Sequence, residues 1–291
     1  MHLLLPLLAS ILFVCGLILI KRASAAGAGP VTTLFAANQC SAAAFSVLWL
    51  FGGSGQPWTM LWQPAIISAL FMLGLMFTFL AVERGDVSIA TPIFGVKILI
   101  VAFMLTVVGK QTLPIAVWLA AVLATAGVAL IQWTGRHHPR RVVQSVLLSL
   151  SAATTYATFD VMVQKWAPAW GAGRFLPIVF WIVALISLAL IPWVDWSKLR
   201  DRNVRRFLLP GAILIALQSI CIVLTIAVFG DAARVNVVYA LRGLWGVGLA
   251  WMVATIWGGA EQDVGRSVMI TRLAGAGLLT AAVVFAIVAQ R

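Results

Sequence analysis

The chain has 291 residues, of which 63% are hydrophobic and 10% charged, with a mean hydropathy of +1.06. So few polar side chains cannot cover a water-soluble globule, which excludes a soluble domain of useful size and points to an integral membrane protein. The formal net charge of +12 would suggest a nucleic-acid partner in a soluble protein, but most Lys and Arg here fall in short loops between apolar runs, the pattern of membrane topology.

Apolar runs long enough to cross a hydrocarbon core of ~30 Å predict ten spans. They cover roughly 3–20, 31–51, 62–82, 87–108, 114–132, 143–164, 174–194, 207–229, 233–257 and 268–289. The runs are continuous and lack the two-residue alternation of a barrel strand, so the expected fold is an all-α integral membrane protein. The first run ends near Ala23-Ser24-Ala25, which would suit signal cleavage, but it has no basic n-region and exceeds the length of an h-region; it is read as the first membrane helix. Breaks fall at Gly52-Gly53-Ser54-Gly55, Gly135 to Pro139 and Gly258-Gly259. Trp49, Trp58, Trp62, Trp133, Trp170, Trp193, Trp196 and Trp257 cluster near segment ends, as interfacial anchors do. Cys15, Cys40 and Cys221 lie inside apolar runs and offer neither a disulfide framework nor a metal spacing.

The chain repeats itself. Lys21 with Gly27-Ala28-Gly29 returns as Lys165 with Gly171-Ala172-Gly173, and Gly85-Asp86 with Lys97 returns as Gly230-Asp231 with Arg242, 144 or 145 residues later. Five spans per copy put the copies in opposite orientations, so the expected organisation is two inverted five-helix repeats, residues 1–138 and 139–291. A binding site between inverted repeats is the architecture of secondary transporters.

Loop charges set the orientation. Loops after helices 1, 3, 5, 7 and 9 hold twelve Lys and Arg, among them Lys21, Arg22, Arg136, Arg140, Arg141, Lys198 and Arg205, against Lys110, Lys165, Arg174, Arg234 and Arg291 on the other side. The basic side is expected in the cytoplasm and both termini outside it, in what is read as a bacterial inner membrane.

The chemistry must come from ionisable groups at membrane depth. Lys97 lies about ten residues into helix 4, roughly 15 Å from its start, and Arg242 is about as deep in helix 9. A cation there costs at least ~2.5–3.5 kcal/mol on insertion scales, so neither should face lipid. Being matched in the repeat, they are expected to converge as a clamp for an anion, Arg242 as a planar fork and Lys97 as a point charge. The alternative is that each is braced by an internal partner, for which Asp160, expected four residues before the end of helix 6, is the obvious choice; Asp160 could instead load and release protons. Tyr156, one turn from Asp160, and Tyr239 are candidate donors to substrate, and Trp245 lies beside Arg242. Asn236, Gln39 and Gln218 could line the same space or serve as interhelical glue. Glu83, Asp86 and Asp231 sit at helix boundaries and are expected to cap. His137 and His138 read as solvated loop residues. No phosphate loop, G-x-S-x-G or H-E-x-x-H motif is present, so neither enzyme activity nor a cofactor or metal is expected.

Ten helices in two inverted sets of five resemble the drug/metabolite transporter superfamily, in particular its EamA-type members, over essentially the whole chain. The most similar stretch is Ala81 to Ile131, with Gly85-Asp86-Val87-Ser88 opening a helix, then Thr91-Pro92, Gly109 and Ala126-Gly127-Val128. It departs from the family at Gly109-Lys110, where Gly-Glu is common, so no role of that acid carries over. The resemblance implies a central cavity, alternating access and a substrate among amino acids, sugars, nucleotide sugars, organic phosphates or drugs. Basic residues on helices 4 and 9 are also similar in placement to those of plastid phosphate translocators, without a shared local motif. Three functions follow as expectations: a carrier of a small organic anion such as a phosphorylated metabolite or carboxylate, a proton-coupled exporter of amino acids or amphipathic drugs, or a lipid-handling or scaffolding protein. A small molecule and the bilayer are the expected partners, and the chain is expected as a monomer or weak dimer.

Overall fold

A computed structural model of the chain describes residues 2–84, 93–132, 142–246 and 266–288. Among them all regular structure is helical, the one open-ended arrangement that satisfies every backbone N–H and C=O within its own segment in lipid. Seven helical stretches are long and apolar enough to cross a membrane: Leu4–Ala25, Pro30–Phe51, Trp58–Ala81, Val142–Trp170, Ala172–Trp193, Arg202–Phe229 and Ile270–Val288. Lys97–Val107 and Ile115–Ile131 are apolar but shorter. Leu50, Trp58, Ile115, Val143 and Leu147 are largely exposed, an outer surface suited to acyl chains rather than water.

The helices are α1 (Leu4–Ala25), α2 (Pro30–Phe45, continued as a 3-10 turn Ser46–Phe51), α3 (Trp62–Arg84), α4 (Lys97–Val107), α5 (Ile115–Gln132), α6 (Val142–Trp170), α7 (Ala172–Ser187, continued as Leu188–Trp193), α8 (Trp196–Arg200), α9 (Arg202–Phe229), α10 (Ala232–Tyr239), α11 (242–246) and α12 (Arg266–Val288). They form two compact units, one of Met1–Ala69 with Val163–Gly230 and one of Leu70–Met162 with Asp231–Arg291.

In the first unit α1 packs along α9 at Gly16 and Gly211, where a Cβ on either would lie 3.2 Å from the other's carbonyl oxygen. Close backbone approach at small residues is how apolar helices gain van der Waals contact when lipid competes equally for their side chains. The supposed cleavage site is helical to Ala25, and Ala23 packs against Val204 and Leu208, so this stretch belongs to the unit's core. Phe45 stacks on Phe180 at 3.7 Å between centroids, tying α2 to α7. Trp170 differs from the expected interfacial anchor: it is 3% exposed and donates to Gln63 Oε1 at 2.8 Å, because a buried indole N–H needs an acceptor. Gly27 and Gly171, the leading glycines of the repeated Gly-Ala-Gly, both take positive φ (100° and 76°).

Several boundaries differ from expectation. Helix α6 continues to Trp170, so Asp160 lies ten residues from its end rather than four. Helix α9 starts at Arg202 because Asp201 caps it, accepting from Asn203 N at 2.8 Å, and Arg205 and Arg206 are exposed helical residues rather than loop cations. Arg174 and Arg234 are likewise in the first turns of helices, and Lys165 lies within α6, five residues before its end. Asp231 caps α10 as expected and pairs with Arg234 at 3.0 Å. Asp86, Trp133, His137, His138 and Trp257 lie outside the described residues, as does the side chain of Glu83.

In the second unit α5 crosses α12 at Gly127 and Gly275. A Cβ on Gly127 would lie 2.9 Å from Gly275 O and from Leu279 Cγ, and one on Gly275 would lie 2.7 Å from Gly127 O and 2.8 Å from Ile131 Cγ1. The contacts are reciprocal: each glycine meets the other and the residue four beyond it.

Candidate functional site

The fourth and ninth predicted spans are not the unbroken helices expected. Residues 93–94 are helical, 95–96 form a turn, and Lys97 opens α4; residues 240–241 form a turn and 242, an arginine, opens α11. At the first break Val96 N donates to Ile93 O (2.9 Å) and Ile98 N to Gly95 O (3.2 Å), three residues back instead of four, before Ile100 N to Val96 O (3.1 Å) restores the α pattern. At the second, Leu241 N donates to Val238 O (3.1 Å), Gly243 N to Ala240 O (3.0 Å) and Trp245 N to Leu241 O (3.0 Å). Each bond of the first break recurs 145 residues later in the second. A tightened turn of this kind shifts carbonyls off the helical ladder, and at the first break Thr125 Oγ1 donates to Gly95 O from α5 at 3.3 Å.

Both cations therefore open a helical segment directly after a tightened turn. Lys97 is not an isolated charge. Its Nζ lies 2.7 Å from Asp160 Oδ2 on α6 and 5.8 Å from the centre of the Tyr156 ring, one turn earlier on the same helix. Asn236 Nδ2, from α10, donates to the same Asp160 oxygen at 2.7 Å and to Ala232 O at 2.9 Å. Asp160 is 2% exposed and Asn236 4%, so the carboxylate is held by two donors away from solvent. Removing one member of such a buried pair costs ~3–5 kcal/mol, because the other charge is left uncompensated.

Arg242 lies with its guanidinium carbon 4.3 Å from the centre of the Tyr239 ring, a cation–π contact that gains strength where water is excluded. Arg242 is near enough to Tyr156, and Asp160 to Tyr239, for the charge of the one to be felt at the phenol of the other. These links join Lys97, Tyr156, Asp160, Asn236, Tyr239 and Arg242 into one group inside the second unit. Among the described residues the group brings two cations and one carboxylate together in a setting of low dielectric, where charge interactions are strong.

Trp245 sits half-buried one turn beyond Arg242. Gln39 and Gln218 belong to the first unit. Gln39 donates to Ala184 O (3.2 Å) and Ser187 Oγ (3.1 Å), bridging α2 and α7, and Gln218 donates to Ser219 Oγ (2.7 Å). The glue reading therefore accounts for Gln39.

Sequence reasoning missed the residues that seat Tyr156. Thr78 on α3 hydrogen-bonds it, and the ring packs on Gly74, where a Cβ would lie 2.7 Å from Tyr156 Cε1. The signal available was a glycine and a threonine four residues apart on one face of an otherwise apolar run. The breaks left no such signal, since Gly95-Val96 and Ala240-Leu241 are as apolar as their surroundings.

No family model and no curated protein matches the chain. A solved structure described only as a protein is similar to it, with a TM-score of 0.69 over 97% of each chain and 16% sequence identity. At that identity the likeness is one of fold alone.

Proposed function

We propose that the chain is a secondary transporter that carries a small organic anion, such as a phosphorylated metabolite or a carboxylate, by alternating access. The observation that carries this reading is the pair of matched helix breaks, each followed immediately by a cation, Lys97 and Arg242. Discontinuous helices with half-helix N-termini directed at anionic substrate groups are a recurring device of carriers with inverted repeats. The same reading places the protein with drug/metabolite transporters of EamA type, in a bacterial inner membrane with both termini outside the cytoplasm, as a monomer or weak dimer without cofactor.

A second reading, export of amino acids or amphipathic amines, draws support from Asp160, whose carboxylate beside the Lys97 ammonium suits a zwitterion. Reconstitution into liposomes with radiolabelled organic phosphates, carboxylates, amino acids and lipids separates the possibilities. Saturable transport of an anion, lost in both Lys97→Gln and Arg242→Gln, is the expected result. Transport confined to amino acids favours the second reading, and lipid movement indifferent to both substitutions overturns each.

A further inference from the structure

The place a substrate oxygen would take on Lys97 is already filled by the protein. Asp160 Oδ2 lies 2.7 Å from the ammonium, the spacing of a charge-assisted hydrogen bond to a bound carboxylate or phosphate. We propose that Asp160 is a tethered stand-in for the substrate anion, neutralising Lys97 while the site is empty and yielding the ammonium to the substrate when it binds. This assignment rests on Lys97 being part of the anion site proposed for transport.

Three features argue for displacement rather than a permanent brace. First, the pair is asymmetric: the Lys97 side chain is 18% exposed and that of Asp160 3%, so the lysine is the accessible member of the pair and the carboxylate the enclosed one. Second, the carboxylate has somewhere to stay, because Asn236 Nδ2 donates to the same oxygen at 2.7 Å and is itself anchored to Ala232 O. Third, the lysine can move, being a point charge on a flexible four-carbon stem with three rotatable donors rather than a rigid fork. The physical benefit falls on the empty carrier. A half-buried ammonium without a counter-ion is costly, and an internal carboxylate lets the unloaded protein pass through its closed state with that charge compensated.

The inference predicts competition between Asp160 and added anions. The test uses the purified full-length protein in nanodiscs, with thermal stability measured against inorganic phosphate and, separately, sulfate. Asp160→Asn keeps the shape and an acceptor for Asn236 but removes the competing charge, and it should lower the half-saturating phosphate concentration by about tenfold or more. Adding Lys97→Gln to that variant should abolish the gain. Asn236→Ala, which removes the resting place of the displaced carboxylate, should raise the half-saturating concentration, and it decides the matter if Asp160→Asn fails to fold. Equal half-saturation in wild type, Asp160→Asn and Asn236→Ala, with binding still lost in Lys97→Gln, overturns the stand-in while leaving the anion site. The absence of any anion-dependent shift in every variant overturns both.

Discussion

Lys97 and Arg242 hold the same place in two helical breaks 145 residues apart, each the first helical residue after a two-residue turn closed by the same three backbone hydrogen bonds. Their side chains are nevertheless held differently. Lys97 is ion-paired with Asp160, whereas Arg242 lies on the Tyr239 ring. The two breaks thus share the backbone device and the sign of the charge, and the contacts described for the two cations differ, so the two should respond differently to substitution.

At Arg242 the planar group should matter as well as the charge. Arg242→Lys keeps the cation but loses the fork and much of the stacking on Tyr239, so it should transport with an apparent affinity about tenfold weaker than wild type. Uptake kinetics on the substrate found by reconstitution measure this directly, and full activity of the lysine variant would remove any special role for the guanidinium.

The proposed orientation rests on the twelve-to-five distribution of Lys and Arg read from the sequence. A C-terminal fusion to a phosphatase that is active only outside the cytoplasm should be active, and a fusion to a fluorescent protein that matures only in the cytoplasm should be dark. The opposite pattern would reverse the orientation.

The crossing of α5 and α12 should be intolerant of any added carbon. At Gly127 and Gly275 backbone atoms already stand 2.7–2.9 Å from where a Cβ would be, so Gly127→Ala and Gly275→Ala should each destabilise the protein by ~1–3 kcal/mol. Gly277, two residues further along α12, has nothing within 4 Å of that position. Gly277→Ala should therefore be neutral or slightly stabilising, since alanine restricts the unfolded chain. Thermal melts of the three variants in one detergent give the comparison.

A pH dependence is expected outside the membrane-spanning segments. The Ser197 hydroxyl, the Lys198 N–H and the Ser197 N–H bond the Asp195 carboxyl at the start of α8, holding its pKa below the usual carboxylate value. A group whose folded pKa is depressed contributes stability that is present above its unfolded pKa and lost as pH falls through the folded one. Wild type should thus melt above Asp195→Asn at neutral pH, and the two should converge in strong acid; a constant difference across the range would remove the carboxylate from this role.

The sequence by itself determined the solvent, the secondary structure and the residues worth watching. Apolar runs without alternation can satisfy their backbone in lipid only as helices, and charges at membrane depth are too costly to be accidental, so Lys97, Asp160 and Arg242 were legible from composition and position. What tertiary structure decided is where the helices break and which charge meets which. The breaks at 95–96 and 240–241 leave hydropathy unchanged, because a two-residue tightening of the ladder alters hydrogen-bond partners and not side-chain polarity. The pairing of Asp160 with Lys97 and Asn236 depends on three helices distant in sequence, and the burial of Trp170 depends on Gln63 being at hand to accept its N–H. Hydropathy records the environment a residue needs; partners are assigned only when packing brings particular atoms within hydrogen-bonding distance.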